Sequence, residues 1–311
     1  MAKNANLTAA KRAKNDEFYT QLTDIEKELK YYKDQLRGKI VFCNCDDPEW
    51  SNFWRYFDLN FDHIGLKGLI ATHYDPVKPT YKLEIFRDGA GNKMAPVRTD
   101  LRENGDFRSP ECVELLRQCD VVVTNPPFSL FREYVALLVR EGKKFIIIGN
   151  MNAITYKEIF PLIKDGLLWY GPSISSGDRE FGVPDHYPLS AAGFRIDEDG
   201  RKYIRVKGVR WFTNIDYAKR HEFLTLFRRY CSNPLNYPKY DNYDAINVNR
   251  TQDIPEDYDG VMGVPITFLD KYCPEQFEIL WLDGIDCSKW VGHGPALNGK
   301  NLYRRIFVRK R

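Results

Sequence analysis

The chain has 311 residues, 43% of them apolar and 29% charged, with a formal net charge of +3. This is globular composition, long enough for one large domain or for a catalytic domain with a smaller recognition part. It excludes a low-complexity chain, its apolar runs fall far short of a bilayer span, and its near-neutral total leaves any nucleic-acid surface to local clusters of charge.

Residues 1–15 read as a polar, basic arm carrying Lys11, Arg12 and Lys14. No apolar h-region or cleavage pattern accompanies it, so no secretion signal is expected, and a cytoplasmic protein is the expectation. Leu22, Ile25, Leu29, Tyr32 and Leu36 recur at helical spacing and predict an amphipathic helix ending at Gly38. The run Ile40-Val41-Phe42-Cys43 predicts a buried strand, Phe53, Trp54, Phe57 and Phe61 a helix, and Leu69 to Thr72 a second strand. Residues 75–105 are polar and rich in turn formers, with a hairpin expected around Asp88-Gly89. Ser109-Pro110-Glu111 combines a cap, a proline at the first helical position and an acid, which predicts a helix start. A third strand is expected at Asp120 to Thr124, then a helix through Leu130, Phe131, Tyr134, Leu137 and Leu138. A fourth strand at Phe145 to Ile148 and a helix near Tyr156 to Ile163 follow.

Short apolar strands alternating with helices predict an α/β fold with a parallel sheet covered on both faces, in which ligands bind beyond the carboxyl ends of the strands. The pattern turns irregular and aromatic after about residue 165. A domain over 1–216 and a separate recognition region over 217–311 are expected. Basic residues gather at Arg195, Arg201, Lys202, Arg205, Lys207 and Arg210, and again at Lys300, Arg304, Arg305, Arg309, Lys310 and Arg311. Such clusters fit either phosphate contacts or a solvated face. Seven cysteines and five histidines are scattered without paired CxxC units or metal-ligand spacing, so reduced thiols and no metal site are expected.

Asn125-Pro126-Pro127-Phe128, directly after the strand Asp120 to Thr124, carries the strongest chemical signal. An exocyclic amine on adenine is a poor nucleophile because its lone pair is delocalised into the ring. Two acceptors aimed at its hydrogens, the Asn125 side-chain oxygen and the Pro126 carbonyl, favour tetrahedral nitrogen and stabilise the positive charge that develops as it attacks a methyl sulfonium. Pro126 and Pro127 stiffen the loop, and Phe128 offers a flat face for the base. A target base must leave the duplex to reach such a loop. The alternative is a proline-rich turn with Phe128 packed in the core. The same four residues also serve enzymes that methylate RNA adenine or protein glutamine.

The chain resembles the EcoRI-type adenine-specific DNA methyltransferases. The blocks that carry the resemblance are Asp16 to Gln21 (DEFYTQ), Asn44 to Pro48 (NCDDP), Gly105 to Arg108 (GDFR) and Asp120 to Tyr134 (DVVVTNPPFSLFREY). It continues in Tyr237 to Asn249 (YPKYDNYDAINVN) and Asp259 to Leu269 (DGVMGVPITFL). The resemblance implies a class I, Rossmann-like S-adenosylmethionine methyltransferase sheet with a C-terminal target-recognition region. It implies methyl transfer to N6 of adenine in double-stranded DNA by base flipping and direct in-line attack, within a restriction–modification system. A cognate restriction endonuclease sharing the system without a stable complex, and a monomeric enzyme, complete the expectation.

The resemblance also implies site roles. Phe18, Tyr19 and Thr20 would close over the methionine part of the cofactor; a helix-entry segment with packed aromatics is the alternative. Asn44 and Asp46 would hold the cofactor after the first strand, where the usual glycine-rich loop is missing, and Asp46 or Asp47 could instead be a helix cap. Asp106 and Phe107 would meet the cofactor adenine, unless they form a plain Gly-Asp turn. Outside the blocks of the resemblance, Asp75 ends the second strand, where an acid often binds a ribose, and it could equally close a turn. Phe181 to Tyr187 (FGVPDHY) could touch the flipped base or pack in the core, with His186 a satisfied histidine. Direct transfer to nitrogen leaves Cys43 and Cys45 no nucleophilic role.

Overall fold

A computed structural model of the chain describes residues 18–45, 47–77, 79–183, 193–285 and 294–311. The basic arm, Asp16, Glu17, Asp46 and the stretch with His186 lie outside the described residues. Two compact units emerge: Met1–Ala153 with Ser176–Ile215, and Ile154–Ser175 with Asp216–Arg311. Residues 154–175, read from sequence as part of the first domain, therefore cluster with the second.

In the first unit the strands are β1 (Tyr19–Thr20), β2 (Ile40–Cys43), β3 (Gly68–Thr72), β4 (Tyr81–Phe86), β5 (Val97–Asp100), β6 (Val121–Thr124), β7 (Lys144–Asn150), β9 (Asp178–Val183), β10 (Arg195–Ile196), β11 (Lys202–Lys207) and β12 (Val209–Thr213). Seven of them form one sheet in the order β5-β4-β3-β2-β6-β7-β12. The four central strands are parallel. Every residue of β3 and β6 is buried, as a central strand of continuous apolar sequence requires. The edges depart from the all-parallel expectation: β4 and β5 add as an antiparallel hairpin on one side and β12 runs antiparallel to β7 on the other. A smaller sheet, β1-β9-β11-β10, is antiparallel throughout.

Helices α1 (Leu22–Leu29) and α2 (Lys33–Leu36) replace the single helix expected before Gly38. Tyr32 sits at the break, fully buried, and its hydroxyl donates to the buried carboxylate of Glu28 at 2.9 Å. After β2 come α3 (Asn52–Leu59), capped by the Ser51 hydroxyl accepting from Phe53 N, and α4 (Phe61–Ile64), ended by left-handed Gly65. α5 (Pro110–Gln118) starts where expected: the Ser109 hydroxyl accepts from Cys112 N at 3.2 Å and Pro110 fills the first turn. α6 (Phe131–Arg140) buries Phe131, Tyr134, Val135, Leu137 and Leu138.

The second unit holds α7 (Phe160–Lys164) and the strands β8 (Trp169–Tyr170), β13 (Ile246–Asn247), β14 (Met262–Pro265), β15 (Phe277–Leu282), β16 (Ala296–Leu297), β17 (Lys300–Asn301) and β18 (Arg305–Lys310). Four make a sheet in the order β13-β14-β18-β15. Helix α7 is shorter than its sequence suggested, but it buries Phe160 and Ile163 and packs against β15, which accounts for its place in this unit. The unusual string from Tyr237 to Asn249 supplies Tyr240, Tyr243 and Ala245 to a core shared with Phe307, on which Trp281 stacks at 4.8 Å. No helix among the described residues is long and apolar enough to cross a membrane.

Candidate active site

Chain order and sheet order together point to a candidate site. From β2 the chain passes to β3 on one side, then returns to β6 on the other side of β2. That reversal is a topological switch point, and the crevice of an open α/β sheet lies beyond the carboxyl ends of the two strands that flank it. Those ends lead into Asn44-Cys45 and Asn125-Pro126, and they are tied together by Cys45 N donating to Thr124 Oγ1 at 3.2 Å.

Asn125 is buried, and its Nδ2 donates to the Phe18 carbonyl at 2.6 Å. A carbonyl only accepts, so the amide nitrogen must face Phe18, and this fixes Oδ1 as the remaining group. Oδ1 is buried with no hydrogen-bond partner among the described residues. The Pro126 carbonyl likewise receives no donor from the described residues, whereas the Pro127 carbonyl accepts from Leu130 N at 2.9 Å. Phe128, half-buried, meets the ring of Phe18 edge-on at 5.8 Å, and Phe18 meets Phe181 at the same separation. Phe18, Tyr19 and Thr20 are drawn here by β1, whose residues pair with Gly182 and Phe181. Thr20 is anchored further by Asn52 Nδ2, which donates to its carbonyl at 2.7 Å.

Asn44 is buried beside this pair. Its Oδ1 accepts from the Tyr134 hydroxyl, and its Nδ2 has no partner among the described residues. Tyr134 is fully buried, which pushes its pKa well above that of a free phenol and keeps it a donor. The Tyr134 ring also receives the edge of Phe107 at 4.9 Å. Sequence reading placed Tyr134 only on the apolar face of a helix. The available signal was a hydroxyl on that face, one helical stretch after the Asn-Pro-Pro-Phe loop.

Asp106 and Phe107 lie in a turn that only glycine can open: Gly105 has φ +74°, and a Cβ there would overlap the His73 carbonyl. The turn is thereby pressed against the end of β3, with Asp75 N donating to the Asn104 carbonyl at 3.2 Å. Asp106 is an ion-pair partner, accepting from Arg108 at N, Nε and Nη2 over 2.7–2.9 Å. Burial opposes its ionisation, yet these bonds and the guanidinium charge win and hold the carboxyl below its ordinary range. Asp75 closes a turn onto Val77 N at 2.8 Å.

Asp47, read from sequence only as a possible helix cap, joins a group at the ends of β2 and β3, and Ser51 caps the helix instead. Asp47 accepts from the Tyr81 hydroxyl at 2.9 Å, and its other oxygen lies 3.3 Å from His73 Nδ1. These contacts cross from one strand end to another, so local sequence gave no sign of them. Four buried polar atoms around the strand ends and β1 have no partner among the described residues: Thr20 Oγ1, Asn44 Nδ2, Thr72 Oγ1 and Asn125 Oδ1. Buried polar groups are rarely left so, and a polar ligand would satisfy them.

The family model described as adenine-specific methyltransferase EcoRI matches residues 6–310. The chain is 48% identical to the type II methyltransferase M.EcoRI of Escherichia coli, over 100% of this chain and 99% of that protein. It is 40% identical to M.MpnI of Mycoplasma pneumoniae and 38% identical to M.MgeORF184P of Mycoplasma genitalium, in both cases over 97% of each chain. No solved structure matches. With a match along nearly its whole length and its Asn-Pro-Pro-Phe loop at the switch point of the sheet, this chain belongs to the EcoRI family of adenine-specific methyltransferases.

Proposed function

We propose that the chain is a site-specific DNA methyltransferase acting on N6 of adenine, with S-adenosylmethionine as methyl donor, in a type II restriction–modification setting. The observation that carries this is Asn125: a buried amide whose nitrogen is held by the Phe18 carbonyl and whose oxygen has no partner among the described residues. The order of the parallel strands, with antiparallel β12 beside β7, supports a class I Rossmann-like core in the first unit. The second unit then takes the part of target recognition.

The Asn125 oxygen and the Pro126 carbonyl accept the two hydrogens of the adenine amine. They draw its nitrogen toward tetrahedral geometry and stabilise the charge that grows on it. Phe128 stacks against the extruded base, and the two prolines keep both acceptors fixed, so little reorganisation is needed at the moment of transfer. The bound cofactor supplies a methyl group already activated by its sulfonium. Asn44, Thr20, Phe18 and Tyr19 would hold it on one side, Asp106 and Phe107 at its adenine, and Asp46 through its carboxylate. The unpartnered Asn44 Nδ2 and Thr20 Oγ1 fit a polar ligand there. The amine nitrogen attacks the methyl carbon as the methyl–sulfur bond breaks, and the resulting cationic nitrogen then loses one proton to water, so no covalent enzyme intermediate arises and Cys43 and Cys45 stay spectators. The enzyme works as a cytoplasmic monomer; a restriction endonuclease of the same specificity would be its counterpart without a stable complex.

Offering duplex DNA, RNA and a protein extract in parallel, with a labelled methyl donor, tests the substrate class. Label is expected in duplex DNA, at a defined set of sites. Incorporation into RNA or protein alone would overturn the reading.

A further inference from the structure

The string from Tyr237 to Asn249 is among the most distinctive in the sequence, and methyl transfer leaves it unexplained. In the second unit it ends at a buried cation. Arg305, the first residue of β18, is only 9% exposed, yet among the described residues it forms no ion pair. Its neighbours show the usual arrangement: Arg309 reaches Glu278 at 2.7 Å and Lys310 reaches Asp259 at 3.3 Å. Asp283, the buried acid of this unit, accepts from the Tyr243 hydroxyl instead. Burying a guanidinium without a counter-charge is costly, and it persists where the charge is used.

The surrounding amides have orientations that follow from Arg305. A guanidinium has donors only, so the atoms facing it must be acceptors. Its Nε lies 3.5 Å from Asn247 Oδ1, and its Nη2 lies 3.5 Å from Asn249 Oδ1. Asn247 Oδ1 also accepts from the Tyr240 hydroxyl at 2.8 Å. That hydroxyl fits only because residue 263 is glycine, where a Cβ would overlap it. With its oxygen so occupied, Asn247 turns Nδ2 to Asn249 Oδ1 at 2.9 Å. The oxygen of exposed Asn249 is therefore held by two donors from within, and its amide nitrogen is left for solvent or a ligand. Arg305 Nη1 likewise has no partner among the described residues. The result is a cationic edge of donors without a free acceptor.

We propose that this edge, Asn249 Nδ2 with the Arg305 guanidinium, contacts a hydrogen-bond acceptor of the DNA: the O6/N7 edge of guanine or a phosphate oxygen. The assignment rests on the proposed action on DNA. Asn249 alone commonly reads adenine through its oxygen and nitrogen together, but here the oxygen is taken, which turns its preference to acceptor-only edges. Tyr240 and Asn247 act as positioning residues behind it.

The test compares Asn249→Ala, Asn249→Asp and Arg305→Lys with the wild-type chain. The readouts are cofactor affinity by calorimetry, duplex binding across a salt series, and the set of methylated sites in a DNA library. Asn249 is exposed, so its variants remain informative even if Arg305→Lys fails to fold. A base contact gives a roughly ten- to hundredfold loss of discrimination at one position of the methylated site, with the salt slope unchanged. A phosphate contact weakens binding to all sequences alike in Asn249→Ala, and the salt slope falls by about one only in Asn249→Asp, whose carboxylate offsets the Arg305 charge. In both cases Asn249→Asp is worse than Asn249→Ala, and cofactor affinity is unchanged. Wild-type binding, site preference and salt slope in both Asn249 variants would overturn the inference. A wild-type chain that methylates no DNA would instead overturn the reading on which it rests.

Discussion

In the mechanism we propose, Asn125 is the residue on which the chemistry turns, and its environment accounts for an amide at that position. A carboxylate could not donate to the Phe18 carbonyl at 2.6 Å, and an alanine would offer no acceptor. Asn125→Ala is expected to lower kcat by about 10²–10³-fold, the usual cost of one electrostatic stabiliser, while cofactor binding by calorimetry stays close to wild type. Tyr134 shows a residue acting through another. Tyr134→Phe removes the hydroxyl that holds Asn44 Oδ1 and leaves that buried oxygen only the weak Cys45 thiol donor at 3.6 Å. A loss of about 1–3 kcal/mol in unfolding free energy is expected. A several-fold weaker cofactor affinity should accompany it; an unchanged affinity would detach Asn44 from the cofactor. The roles of Asn125 and Asn44 could be posed from sequence because each follows a strand at once. The hydroxyl of Tyr134 could not, since helical periodicity reports that a residue faces inward and not what its polar atom meets.

At the scale of elements, local signals were legible. Ser109-Pro110 starts α5 as its capping chemistry requires, and the continuous apolar runs became β2, β3, β6 and β7. Two kinds of feature were not legible. One is pairing across long separations: β1 joins β9 at Tyr19–Gly182, which draws Phe18 to Phe128. The other is helix continuity, since a helical repeat over Leu22 to Leu36 fits two helices as well as one. The turn at Gly105 couples sequence to site most tightly. Gly105→Ala demands a left-handed backbone from alanine and space occupied by the His73 carbonyl. A drop of more than about 1 kcal/mol in stability is expected from the strained backbone alone. Cofactor affinity should fall with it as Asp106 and Phe107 shift, read together by thermal unfolding and calorimetry.

For the molecule as a whole, the two units differ in how their stability answers to pH. In the second, His221 lies between two carboxylates, 2.8 Å from Asp216 and 2.8 Å from Glu275. The bond to Asp216, then that to Glu275, raises its pKa above the ordinary 6.5. A raised folded-state value means the pairing stabilises the fold fully below the unfolded-state pKa and fades as pH climbs through the folded one. The urea midpoint of the chain is therefore expected to decline above about pH 6.5, and less steeply in His221→Gln. In the first unit, Asp106 and Tyr134 keep one protonation state over the same range, because Asp106 is held ionised by Arg108 and Tyr134 is held protonated by burial. Contributions from Asp106 are lost only as pH falls through its depressed value.

The most direct measurement is a single-turnover reaction of wild type and Asn125→Ala with labelled S-adenosylmethionine and duplex DNA, followed by digestion and separation of the nucleosides. Label in N6-methyladenine from the wild type, and next to none from the variant despite equal cofactor binding, is the expected result. Label in a cytosine product, or a variant that matches the wild-type rate, would contradict the role given to the Asn-Pro-Pro-Phe loop.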